Sequence, residues 1–224
     1  MTRPPRHLFA RCAASLCLLL TGLPAAQAAP AVTRDLVALK TQMQALQADP
    51  KLLDKARAAG KEAARFCAAC HGDNGISTRP HLPNLAGQNP EFLLKQTVAF
   101  ASGERKDLVM NDLMSNFTNE RILNLVLYYA GMPREQHAAP ADVAVQASSA
   151  MLFQQRCQSC HGADGRGGQG HAWIAGQKPA YLEASLKRFR DPSAKRSDPV
   201  MGAVAKGLTD TDISALATYI ASLH

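Results

Sequence analysis

The sequence predicts an all-α chain built from two tandem copies of one helical domain, and three observations carry that prediction. Apolar residues recur at helical spacing, as at Ile122, Leu125, Val126 and Tyr129 and again at Ile213, Leu216, Tyr219 and Ile220, while alternating β-branched runs are scarce. The chain also repeats itself. Cys67 and Cys157 lie 90 residues apart, as do His71 and His161; LAGQNPEFLLKQTVAF (85–100) returns as IAGQKPAYLEASLKRF (174–189) at an offset of 89. RKDLVMNDLMSNFTNERILNLVLYYA (105–130) returns as RSDPVMGAVAKGLTDTDISALATYIA (196–221) at an offset of 91, a drift that small loop changes explain. Finally, GMPREQHAAPADVAVQASS (131–149) breaks the pattern with Pro133 and Pro140 and reads as the seam between the copies.

Taken in order, residues 1–28 read as a secretory signal peptide: Arg3, Arg6 and Arg11 precede an apolar run from Ala13 to Leu23, and Ala26-Gln27-Ala28 offers a cleavage point before Ala29. Cys12 and Cys17 follow Arg11 and Leu16, not the small residue that a lipidated cysteine requires. Removing the segment takes away three arginines and no acid, lowering the formal charge from +7 to +4. Residues 29–138 carry 13 basic and 11 acidic side chains and residues 139–224 carry 9 and 7, without the excess of a nucleic-acid binder. No later stretch approaches the ~20 apolar residues of a membrane helix.

Residues 29–59 are expected to form an N-terminal helical extension. Thr33 would cap a helix bearing Leu36, Leu39, Met43 and Leu46, an apolar stripe suited to packing on the first domain, and Asp49-Pro50 opens a second helix toward Cys67. The first domain then spans 60–132, the linker 133–147 and the second domain 148–224. Thr118 is placed to cap the last helix of the first domain, and Thr209 with Asp212 forms an approximate capping box for the last of the second. Ser148 or Ser149 is expected to cap the helix entering the second half. The gaps between helices are rich in Gly and Pro and too long for a self-supporting core, so something large and apolar must fill each domain.

Four cysteines follow residue 28, all in RFCAACHGDNG (65–75) and QQRCQSCHGADG (154–165). Two disulfides are the plain reading in an exported chain, yet a disulfide framework needs no histidine behind each pair. Cys-x-x-Cys-His is the attachment signature of c-type haem: two sulfurs spaced to add across the porphyrin vinyls, then an imidazole for the iron. Cys67, Cys70 and His71 would serve one haem c and Cys157, Cys160 and His161 another. A zinc site would need converging Cys-x-x-Cys knuckles and leave the histidines spare. A thioredoxin-like dithiol would need a βαβ context, which is absent.

The sixth iron position decides what such a centre does. Met201 is the only methionine after His161, in a polar segment expected to be loop, and the repeat maps it onto Met110: each lies eight residues before its capping threonine, Thr118 or Thr209. Met114 is then expected to pack in the core. A thioether ligand favours ferrous iron and leaves no open position for oxygen, peroxide or substrate, which makes the chain an electron carrier and not an enzyme.

The segments CAACHGDNG and PNLAGQ, the RKDLVM and KRSDPVM loops and the ending LTDTDISALATYIASLH resemble the cytochrome c4 family of di-haem class I cytochromes, over about residues 60–224. The resemblance implies two class I cytochrome c domains, each wrapped around one covalently attached haem and facing the other across an interface. It implies a periplasmic protein, free or peripherally associated with the inner membrane. Its redox partners would be an upstream donor such as a quinol-oxidising complex and a downstream terminal oxidase or similar acceptor. In such domains a proline carbonyl accepts a hydrogen bond from the proximal histidine. Pro83 fits that role; Ala172 stands in its place in the second copy, keeping the carbonyl but losing the fixed φ, which implies unequal haem potentials. Two alternatives remain: the cytochrome subunit of a periplasmic dehydrogenase acting on a sulfur compound or an alcohol, and a di-haem peroxidase-like enzyme, against which both methionines argue.

Trp173 reads as packing in a haem pocket, and His81, His137, His171 and His224 as surface or loop residues. The basic run from Lys187 to Arg196 reads as a solvated loop, with steering of an acidic partner as the sharper alternative and a haem propionate as a third option for Arg196 or its counterpart Arg105.

Overall fold

The computed structural model describes Met1 and residues 34–134, 143–191, 193, 194, 196 and 198–223. The expected signal peptide, Thr33, most of the expected linker, His137 and His224 lie outside the described residues. Among the described residues ten helices follow one another: α1 (Leu36–Ala48), α2 (Pro50–His71), α3 (Pro90–Ser102), α4 (Leu108–Ser115), α5 (Asn119–Ala130), α6 (Val143–Arg156), α7 (Gln158–His161), α8 (Pro179–Arg190), α9 (Pro199–Lys206) and α10 (Asp210–Ser222). Among the described residues the only β pairings are the isolated bridges Arg105–Arg196 and Gly168–His171.

The helix starts follow local chemistry. Asp49 caps α2 by accepting from the Lys51 and Leu52 amides ahead of Pro50, whose missing N–H costs nothing at the first helical position. Thr118 caps α5, and Thr209 with Asp212 completes a reciprocal capping box on α10. Two starts depart from expectation. Asp35 caps α1 through the Val37 and Ala38 amides. Helix α6 begins at Val143, so Ser148 and Ser149 are interior residues and not caps; nothing in the sequence between 143 and 147 breaks a helix.

The repeat is visible in space: α3, α4 and α5 recur as α8, α9 and α10, and the end of α2 as α6 and α7. Each copy has its own apolar cluster. Leu94, Val98, Ile122 and Val126 belong to the first, with Cys67 and Met110 packed against it. Phe153, Leu182, Ile213 and Leu216 belong to the second, with Cys157 inside it and Met201 alongside. Leu39 and Met43 of α1 bury fully in the first cluster, as the stripe predicts, but Leu36 at its end is exposed.

Helices α2 and α5 cross closely at Gly60. A Cβ there would overlap the Asn124 carbonyl oxygen and sit 2.7 Å from Tyr128 Cβ. Gly60→Ala is therefore expected to destabilise the chain by about 1–3 kcal/mol, the usual cost of overpacking, despite alanine's better helix propensity. Urea unfolding measures it, and an unchanged midpoint would refute the close crossing.

Candidate functional site

Both motif histidines sit at the end of a helix that glycine stops. Gly72 and Gly162 each adopt φ of 81°, a conformation that a side chain rarely tolerates. The chain then turns back, with Leu85 and Ile174 donating their amides to the carbonyls of Gly75 and Gly165. This fold-back delivers a carbonyl to each imidazole: His71 Nδ1 lies 2.9 Å from Pro83 O and His161 Nδ1 lies 2.9 Å from Ala172 O. A carbonyl only accepts, so Nδ1 carries the proton in both rings and Nε2 keeps its lone pair for a metal. Burial holds both imidazoles below the ordinary histidine range, with the carbonyl bonds opposing it, which keeps them neutral. The loss of proline at 172 leaves the hydrogen bond intact.

Cys67, Cys70, Cys157 and Cys160 form no disulfide with one another. Burial pushes the Cys157 thiol up to about 11 and the Cys67 thiol upward, the opposite of a poised redox thiolate. Among the described residues no cluster of three or more His, Cys, Asp or Glu side chains is arranged to hold a metal ion.

Met201 lies in a helix and not in the expected loop. Asp107 and Asp198 are equivalent N-caps, accepting from the Met110 and Met201 amides at 3.1 Å each, and place both methionines in the first turn of α4 and α9. The two carboxylates act electrostatically on His71 and His161, so each methionine helix starts near the histidine of its own copy. Met110 and Met201 are half-buried, whereas Met114 is 2% exposed and consumed by the core.

Between the copies lies a pair of packed cations. The Arg105 guanidinium stacks 4.3 Å over Phe100 and bonds Gln96 Oε1 at 2.6 Å and the Tyr181 hydroxyl at 3.2 Å. Its counterpart Arg196 stacks 4.3 Å over Phe189, yet its Nε and Nη1 are buried without a partner. Burial brings Arg196 down to about 10. Burial raises the Tyr181 phenol, but the two guanidiniums outweigh it and bring the phenol down to about 7. Orphaned cationic donors call for carboxylates, and a haem carries two. The residues present therefore fit haem on three counts: paired thiols, an oriented imidazole and a buried guanidinium, that of Arg196, with donors left over. Lys195 of the basic run lies outside the described residues; Lys187 pairs with Glu183 and Arg190 with Asp210, so part of the run is internally neutralised.

The copies are joined by a reciprocal clamp that sequence reasoning did not assign. Gln88 Nε2 donates to Trp173 O at 2.8 Å and its Oε1 accepts from Trp173 N at 2.7 Å. Gln177 does the same to Asn84, with Nε2 to O at 3.0 Å and N to Oε1 at 2.8 Å. Trp173 and Asn84 are 89 apart, as are the two glutamines, so the contact is isologous, as between identical subunits. The glutamines' matching places in LAGQ and IAGQ were the only signal in the sequence. Trp173 itself lies under the guanidiniums of Arg134 and Arg166, at 4.8 and 5.5 Å from the ring centroid.

Two copies, each presenting a Cys-x-x-Cys-His turn, a carbonyl-oriented imidazole and a methionine helix around an apolar cluster, define a di-haem c-type cytochrome. Comparison with known proteins is consistent with that class. The cytochrome c family model matches residues 147–224. The chain is 31% identical over 179 residues to cytochrome c4 of Pseudomonas aeruginosa, covering 75% of this chain and 88% of that one. It is 30% identical over 178 residues to the thiosulfate dehydrogenase electron acceptor of Thiomonas intermedia, covering 74% and 82%. The crystal structure of reduced recombinant cytochrome c4 from Pseudomonas stutzeri superposes with a TM-score of 0.67 at 30% identity, covering 74% of this chain and 97% of that one. The chain belongs to the cytochrome c4 family, and with it is an electron carrier bearing two covalently bound haem c groups.

Replacing Gln88 by Ala removes two buried inter-copy bonds and leaves the Trp173 amide and carbonyl unpaired, which is expected to cost about 2–4 kcal/mol. The expected readout is a urea transition that separates into two, one per copy. A single unshifted transition would show that the clamp does not couple the copies.

Proposed function

We propose that the chain carries electrons in the periplasm from a donor such as a quinol-oxidising complex to a terminal oxidase. Cys67, Cys70, His71 and Met110 hold the first haem, and Cys157, Cys160, His161 and Met201 the second, in domains spanning 60–132 and 148–224. The two carbonyl-held imidazoles, each 2.9 Å from its acceptor, are the observation that carries this reading. Haem supplies reversible one-electron chemistry; the protein's part is to orient ligands and exclude water. The Pro83 and Ala172 carbonyls hold the Nδ1 protons, so the imidazoles keep their tautomer as charge changes. Asp107 and Asp198 fix the helix turns that present the methionine sulfurs, while the apolar clusters keep the surroundings dry and the neutral thioether favours the reduced state.

No described helix is long and apolar enough to cross a membrane, and peripheral association with the inner membrane suits this role. A second reading makes the chain the electron acceptor of a thiosulfate dehydrogenase, supported by the likeness to the Thiomonas intermedia protein. Membranes rich in terminal oxidase, and separately a thiosulfate dehydrogenase with thiosulfate, discriminate the two: rapid oxidation by the membranes supports the first and rapid reduction by the enzyme the second.

The assignment of ligands has its own test. Met201→His is expected to leave both haems attached and to lower one midpoint by about 0.1 V or more, within the ~0.8 V span that axial ligands command. A redox titration reads this directly, and two unshifted midpoints would remove Met201 from the iron.

A further inference from the structure

Helix α1 lies beyond the part of the sequence that resembles the family, and one residue at its entrance reaches the methionine helix. Arg34 Nη2 donates to the carbonyls of Met114 at 3.0 Å, Ser115 at 3.3 Å and Phe117 at 2.6 Å. These are end-of-helix carbonyls of α4 and of its connection to α5; that of Met114 also accepts from the Asn116 and Phe117 amides, and a cation here adds a further donor and opposes the helix dipole. The reach is held from behind. Leu39 and Met43 are buried in the same cluster as Met114 and Phe117, and Lys40 pairs with Glu91 of α3 at 2.8 Å.

The second copy solves the same problem internally. Arg190, at the end of α8, donates from Nη1 to the Leu208 carbonyl at 2.9 Å and pairs through Nη2 with Asp210. Leu208 and Phe117 are equivalent, each directly before its capping threonine. The repeat places Ala101 where Arg190 stands and Asn119 where Asp210 stands, so the first copy lacks both members of that pair. Asn119 Oδ1 is buried there without a partner.

We infer that Arg34 is a positioning residue that replaces Arg190 in the first copy, locking the end of α4 so that Met110 stays on the first haem iron. This rests on Met110 being the ligand. Helix α4 has only eight residues, with Met110 in its first turn, so freeing its far end loosens the whole element. The N-terminal extension is then part of the first redox centre, and its loss acts on one haem and not the other.

The test uses the complete exported protein with both haems. Imidazole is added to the oxidised protein, and the rate of methionine displacement is followed at each haem through loss of the far-red sulfur-to-iron band. Met110→Ala marks which phase belongs to the first haem. Arg34→Ala is expected to accelerate displacement at the first haem about tenfold while leaving the second within twofold. Arg34→Lys, which keeps the charge and fewer donors, is expected to fold and to fall between, so the effect is readable even if the alanine variant is unstable. A general loss of stability would accelerate both haems, and that result, or unchanged rates at both, overturns the inference while leaving Met110 as ligand. If Met110→Ala itself leaves the far-red band and the imidazole kinetics unchanged, the ligand assignment fails and the inference with it.

Discussion

Each copy hangs one buried imidazole from one backbone carbonyl, and the rest of the arrangement follows from that constraint. With Nδ1 committed to Pro83 or Ala172, only Nε2 is left to bind iron, and the ring cannot turn without losing its bond. The carbonyls in turn are fixed by the fold-back in which Gly75 accepts from Leu85 and Ala86, and Gly165 from Ile174 and Ala175. Because a carbonyl belongs to any residue, proline at 83 and alanine at 172 achieve the same 2.9 Å contact. In the proposed assignment the Cys-x-x-Cys-His turn would set where each haem attaches, and the carbonyl would set how its iron is held.

The two copies pair as the halves of a symmetric dimer would. Gln88 and Gln177 exchange identical contacts, and Arg105 and Arg196 meet in a β-bridge between the copies. Symmetry is broken at several described places, among them the contact of the extension with the first copy through Arg34, the pairing of Lys95 of α3 with Asp198 of α9 without an equivalent return, and His171 lying 6.2 Å from His161 in the second copy. An electron therefore meets two centres of common design in different surroundings, the condition for a preferred direction of flow.

What the sequence disclosed was local or repeated. Asp49-Pro50, Thr118 and the Thr209–Asp212 box act within three residues of themselves and were legible. The repeat singles out Met110 over Met114 because the second copy has a single methionine after His161, at the place matching Met110, and Met114 is buried in the core. The start of α6 was misplaced because serine is a permitted cap anywhere, while the absence of a breaker at 143–147 was the stronger signal. The helices around Met110 and Met201 read as loop in the sequence because eight residues are too few for a periodic pattern, although Asp198-Pro199 is a start signal. Arg34 and the glutamine clamps join residues 80 or more positions apart, and no local rule reports such contacts.

The central claim is that one chain holds two irons, each between an imidazole and a thioether. The most direct measurement is the haem content of the mature oxidised protein together with the intensity of its far-red sulfur-to-iron absorption. The account predicts two haems per chain, both low-spin, and a band carrying twice the intensity of one methionine-bound iron. A single haem per chain, or a high-spin iron that binds cyanide as fast as it is mixed, would contradict it.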